Sequence, residues 1–173
     1  MKNQLTLLIG LILGVSLLGC ANTEIKRDNL KQLALNSAAE IIAGHLCDFD
    51  NSVSFDGEGS IRVTAEDSMV VPIAHITGLN IESSVLIYQA HLKSENLRGK
   101  AYLEMWCQFE DNGEFFSRDL ATPLTGTMDW STEETPFFLQ SGQRPNAIRL
   151  NLVVTGPGTV WIDDVSLSKM PLR

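Results

Sequence analysis

From Ala147 to Thr155 every second residue is a bulky aliphatic: Ile148, Leu150, Leu152 and Val154. A period of two belongs to a β-strand with one face buried, so this run must be a strand against a core, with Arg149 and Asn151 on its other face. The same alternation governs residues 100–110. There Ala101, Leu103, Met105, Cys107 and Phe109 read as core, and Tyr102, Glu104, Trp106 and Gln108 share the opposite face. Further extended runs lie at 46–55, 61–64, 69–76, 85–93, 115–116, 137–139 and 156–167. Pro72 marks the 69–76 run as an edge or bulged strand. Turn residues separate the runs, as in Asp111-Asn112-Gly113 and Gly156-Pro157-Gly158. Roughly eight or nine short strands with little helix predict an all-β antiparallel β-sandwich.

One of the two faces has the composition of a sugar site. Tyr102 and Trp106 offer flat apolar rings for the C–H faces of a pyranose, and Glu104, Gln108, Arg149 and Asn151 offer fixed polar groups for its hydroxyls. The alternative is structural: a loop covers Trp106 and the face is part of the packing. Other chemistries have little support. Thirteen basic residues against 21 acidic ones give a net charge of −8, which repels a phosphate backbone, so no nucleic acid is expected as a partner. The run Asp48-Phe49-Asp50-Asn51-Ser52 is not an EF-hand, because Val53 and Gly59 stand where such a loop needs Gly and Glu. Gly57 and Gly59 lead into the β-branched Ile61 and Val63 and not into a helix, so they make no dinucleotide fingerprint. His45, His75 and His91 are scattered, and neither a zinc-protease helix nor a nucleophile elbow is present. The expectation is a protein that is not an enzyme.

The first residues carry a different signal. A short basic start, Met1-Lys2-Asn3-Gln4, precedes 14 uncharged, mostly apolar residues from Leu5 to Leu18. A membrane span needs about 20. The shorter run fits a secretory signal. Its end, Leu17-Leu18-Gly19-Cys20, resembles the bacterial lipobox. That resemblance implies cleavage before Cys20, acylation of its thiol and new amine, and a membrane partner reached through the lipid. With Ala21 rather than Asp next, analogy with enteric sorting favours the outer membrane. The expected organisation is a lipoprotein signal peptide at 1–19, a tether at 20–34 and a domain at 35–173. A helix over 25–42 is the rival for the tether. In an oxidising envelope, Cys47 and Cys107 form a disulfide or remain two buried thiols, and only their distance decides.

The closing run Gly158-Thr159-Val160-Trp161-Ile162-Asp163-Asp164-Val165-Ser166-Leu167 resembles the last strand of the galactose-binding-like jelly rolls, which include many carbohydrate-binding modules. Asp56-Gly57-Glu58-Gly59-Ser60-Ile61 resembles their glycine-rich lead into an early strand. Gly126-Thr127-Met128-Asp129-Trp130 resembles a loop before their penultimate strands. Leu35-Asn36-Ser37-Ala38-Ala39-Glu40 resembles their opening. The resemblance implies a jelly roll with Leu86, Tyr88, Ala90 and Leu92 inward, and Gln89 and His91 on the same sheet face as Trp106, Arg149 and Asn151. It implies a structural calcium on Glu40 and Asp163, against the alternative of solvated or turn-capping carboxylates. It also implies a non-catalytic module that binds a glycan. The second reading is an envelope protein that uses the sandwich to dock a protein partner.

Overall fold

The computed structural model describes residues 26–110 and 113–172. Cys20 and the leader lie outside the described residues. Nine strands are described: β1 (Asp28–Leu33), β2 (Asp48–Asp50), β3 (Ser60–Ala65), β4 (Ser68–Thr77), β5 (Ser84–Phe109), β6 (Gly113–Arg118), β7 (Leu124–Leu139), β8 (Ala147–Thr155) and β9 (Gly158–Pro171). Two single turns of 3₁₀ helix, Ala38–Glu40 and Gly44–Leu46, are the remaining regular structure. Every strand pairing is antiparallel. The chain is an all-β jelly-roll sandwich.

β5 belongs to both layers. Its first half, through Glu95, runs between β7 and β9, and β9 carries β3 and β1 along its other edge. Its second half, from Ala101, runs between β8 and β6, and β4 closes the edge beyond β8. The runs at 85–93 and 100–110 are therefore one strand with a bend, where Asn96 takes a positive φ of 52°. The core fills the space between the layers. Tyr88, Leu92, Leu103, Met105, Leu150, Leu152 and Ile162 are all fully buried there, as alternation and the resemblance place them.

Three expectations are corrected, and the open question of Cys47 and Cys107 is answered. Residues 28–33 of the supposed tether are β1, hydrogen-bonded to β9 from Asp28↔Lys169 to Leu33↔Val165, so the sheet begins before residue 35. Of the run at 46–55 only Asp48–Asp50 is strand. Beyond it Asp50 accepts from Ser52 N–H and hydroxyl, and Ser54 accepts from Gly57 N–H, so short polar side chains hold the backbone in turns. Residues 126–130 are not a loop but part of β7, whose ladder with β5 is broken by register shifts around Ser94 and Leu97. Cys47 and Cys107 are unlinked. Cys107 is fully buried in the core, where desolvation pushes its thiol up to about 12. Cys47 is only half-buried, with its thiol donating to the carbonyl of Gly44 at 3.5 Å.

Leu150 sits at the centre of this core with no exposed surface. Leu150→Ala should destabilise the domain by roughly 2–5 kcal/mol, read from chemical denaturation at constant m-value. A loss below about 0.5 kcal/mol would be that of a surface position.

Candidate functional site

The outer face of the second layer is built from two adjacent cross-strand rows. In the first, His75 of β4, Arg149 of β8, Trp106 of β5 and Phe116 of β6 stand side by side. In the second, Pro72, Asn151, Glu104 and Arg118 do the same. Such neighbours lie close enough for side chains to touch, and here they do. A cleft of about 490 Å³ opens over these rows, floored by Glu104, Trp106, Arg149 and Asn151. Its far wall is Val70, Pro72, His75 and Ile42. Ile42 reaches it from a loop that adds itself to the edge of β4, with Ile42 N–H donating to Ile73 O and Ala43 N–H to Pro72 O, both at 3.2 Å. That pairing falls at the β4 bulge between Pro72 and Ala74.

Glu104 holds the site together. It is 4% exposed, yet three donors converge on it: Trp106 Nε1–H at 2.7 Å, Asn151 Nδ2–H at 3.0 Å and Arg118 Nε–H at 2.5 Å. Burial pushes its carboxyl up, but these donors and the Arg118 charge outweigh burial and hold it below its ordinary value. The indole N–H is thereby fixed, and the Trp106 ring sits 5.0 Å from the half-exposed Phe116 ring, tilted by 45°. Arg149 lies over Trp106 at 5.7 Å and Arg118 over Phe116 at 4.2 Å. The result is an aromatic shelf beside polar groups held in place, running from Trp106 on the floor of an open cleft to Phe116 on the neighbouring strand.

The structure brings Trp106, Glu104, Arg149 and Asn151 together. Tyr102 and Gln108 lie on the same face, two residues along β5 to either side of that group. Gln89 and His91 do not join them. They belong to the first half of β5, between β7 and β9, because the strand changes layer at its bend. Gln89 accepts from Arg27 at 3.4 Å, and His91 is stacked on Phe55 with ring centroids 3.5 Å apart. Sequence reasoning missed Phe116, Arg118 and Glu114. The turn-forming sequence Asp111-Asn112-Gly113 was the available signal, and the β5–β6 register sets Phe116 opposite Trp106.

The carboxylates expected to hold calcium both accept hydrogen bonds from backbone N–H groups. Glu40 accepts from Leu35 N–H at 3.2 Å. Asp163 is fully buried, and its two oxygens accept from Phe55 N–H at 2.9 Å and Asp164 N–H at 2.8 Å. Among the described residues no three His, Cys, Asp or Glu side chains gather into a metal cage. Calcium needs six to eight oxygen ligands, so Glu40 and Asp163 would hold it only together with backbone carbonyls and water.

No family model matches the chain, and no curated protein is similar to it. Solved structures are similar in fold. A "Family 16 Carbohydrate Binding Module-2" matches with a TM-score of 0.55 at 10% identity, over 76% of this chain and 95% of that one. A CBM22 xylan-binding domain from Paenibacillus barcinonensis matches with a TM-score of 0.53 at 8% identity, over 73% and 82%. A cyclase from Fischerella sp. TAU matches with a TM-score of 0.51 at 14% identity, over 72% and 70%. At such identities the likeness is one of fold, and a fold hosts many functions.

The Glu104 clamp makes an acid-stability prediction. A carboxylate held below its unfolded value contributes stability that is present above the ordinary carboxylate range and is lost as pH falls through the folded value. Glu104→Gln removes this contribution. Its melting temperature should fall less than that of the parent between about pH 7 and pH 3, the interval that spans ordinary carboxylate titration. Parallel melting curves for the two proteins would mean that Glu104 is not held as an ion.

Proposed function

We propose that this protein is a non-catalytic carbohydrate-binding module, lipid-anchored in the cell envelope through Cys20, with the cleft at Trp106 as its ligand site. One observation carries the reading: Glu104 clamps the Trp106 indole on the floor of an open cleft, next to a second aromatic ring. A ring fixed before binding loses little freedom when a pyranose stacks on it, and the Asn151 amide beside it can orient a hydroxyl. The fold likeness to proteins named as carbohydrate-binding and xylan-binding supports the same reading. The carboxylate of the cleft is a poor proton shuttle. A buried carboxylate with three donors, one of them a guanidinium, is held ionised and is poorly suited to shuttle protons as a general acid or base. Anchoring is supported by the lipobox-like residues alone.

A second reading has its own observation. At the outer face of the first layer, Phe138, Val85 and Met170 line up across β7, β5 and β9 beside a groove of about 360 Å³ that Pro171 and Leu172 complete. Phe138 is 58% exposed, as a surface for docking a partner would require.

Trp106→Ala should abolish ligand-dependent quenching of tryptophan fluorescence, and Phe116→Ala should weaken binding by roughly tenfold, the loss of about one stacking contact. Both should keep the fold by circular dichroism. If Trp106→Ala binds as the parent does, the cleft is not the site. Cys20→Ser should leave an unprocessed precursor without acyl label, and acyl label on that variant would remove the anchor.

A further inference from the structure

We infer that the cleft selects neutral glycans and that Glu114 is the residue that keeps acidic ones out. This rests on the carbohydrate reading of the cleft. Two guanidiniums on neighbouring rows would ordinarily suggest a uronate or sulfate ligand, because a guanidinium forms strong paired hydrogen bonds with such anions. Here each is already occupied. Arg118 Nε–H donates to the buried Glu104 at 2.5 Å, and Arg149 Nη2–H donates to Glu114 at 2.6 Å. Two cations and two anions leave the site without net charge. Glu114 stands on β6 opposite Gln108, so it meets Arg149 from the strand beyond Trp106.

The chemistry of the ligand decides what such a pair accepts. A carboxylate reaching Arg149 meets Glu114 as a like charge and must displace it or share its cation. A hydroxyl both donates and accepts. A vicinal diol can therefore accept from Arg149 and donate to Glu114, spanning the pair without breaking it. The field of the whole chain acts in the same direction, since its net charge of −8 repels an anionic polymer before contact. Asn151 and the exposed Gln108 add amide groups, which suit hydroxyls and carry no charge.

The test titrates the full chain with equal-length neutral and acidic oligosaccharides. The neutral probes are xylohexaose, cellohexaose and mannohexaose, and the acidic probe is hexagalacturonate. At least one neutral probe should bind, with an affinity that changes by less than about twofold between roughly 20 and 500 mM NaCl, as expected when no ion pair forms with the ligand. Hexagalacturonate should bind at least about tenfold more weakly. Glu114→Gln frees Arg149 and should raise the acidic-to-neutral affinity ratio by roughly tenfold at low salt. Glu58→Gln, which removes the same charge from an exposed turn in the other layer, should leave that ratio unchanged. The inference is overturned if the parent prefers hexagalacturonate to every neutral probe. It is also overturned if Glu114→Gln moves the ratio no more than Glu58→Gln does. Preference for the acidic probe sinks this inference and leaves the carbohydrate reading intact. Binding of none of the four probes sinks both.

Discussion

The structure depends on the passage of β5 from one layer to the other. At that point the backbone of β5 packs directly on the turn between β8 and β9. Arg98 N–H donates to Pro157 O at 2.8 Å. The approach leaves no room for side chains. A Cβ on Gly158 would lie 2.5 Å from Leu97 Cα, and one on Gly99 would lie 2.5 Å from Thr155 O. Gly158 also holds a φ of 150°, which L-residues rarely adopt. Two of the connections between the layers, the bend of β5 and the 156–158 turn, therefore cross at one glycine-lined contact. Around it Leu97, Ala101, Val154 and Val160 are buried, so the crossing closes one end of the core.

The cleft follows from that crossing. Beyond the bend β5 becomes an inner strand of the second layer, with β8 on one side and β6 on the other. Only an inner strand can place Glu104 within reach of donors from both neighbours, Asn151 on β8 and Arg118 on β6. Burying the carboxylate costs desolvation, and the pair with Arg118 need not repay it in stability. What the clamp does supply is position. It fixes the indole of Trp106, and through it the spacing to Phe116 and Arg149, before any ligand arrives.

Alternation made the faces legible and left the layers hidden. Trp106, Glu104, Arg149 and Asn151 could be grouped from sequence because a period of two is a local property of each strand. Gln89 and His91 share that outward parity, but parity does not say which layer a residue faces away from. Residues 94–99 read as a gap between two strands, whereas they are the bend of one. Phe116 and Arg118 were recoverable from the hairpin register, since a fixed turn sets every pair beyond it. The relation of Cys47 to Cys107 was not recoverable, because it depends on distance across the fold. The carboxylate pair in the closing strand was partly legible. Adjacent strand residues point to opposite faces unless a bulge intervenes, and the ladder between β5 and β9 shifts register here, with Asp164 at a φ of 47°.

Glu104 and Asp163 are both buried carboxylates, and the fold shifts them in opposite directions. Three side-chain donors, one of them a cation, overcome the burial of Glu104 and hold its carboxyl down. Asp163 has backbone N–H donors and, among the described residues, no cationic side chain paired with it. Burial, with the nearby charge of Asp56, wins there and holds it up. The two contribute to acid stability with opposite sign. A raised carboxylate binds its proton more readily folded than unfolded, so its cost to the fold is present above the folded value and is relieved as pH falls towards the ordinary range. A depressed one loses its contribution over the lower window, from the ordinary range down through its folded value. Mild acid therefore eases the closing strand before stronger acid loosens the cleft. The difference between the two sites lies in the partner, because backbone dipoles alone do not offset a desolvated charge that a guanidinium does.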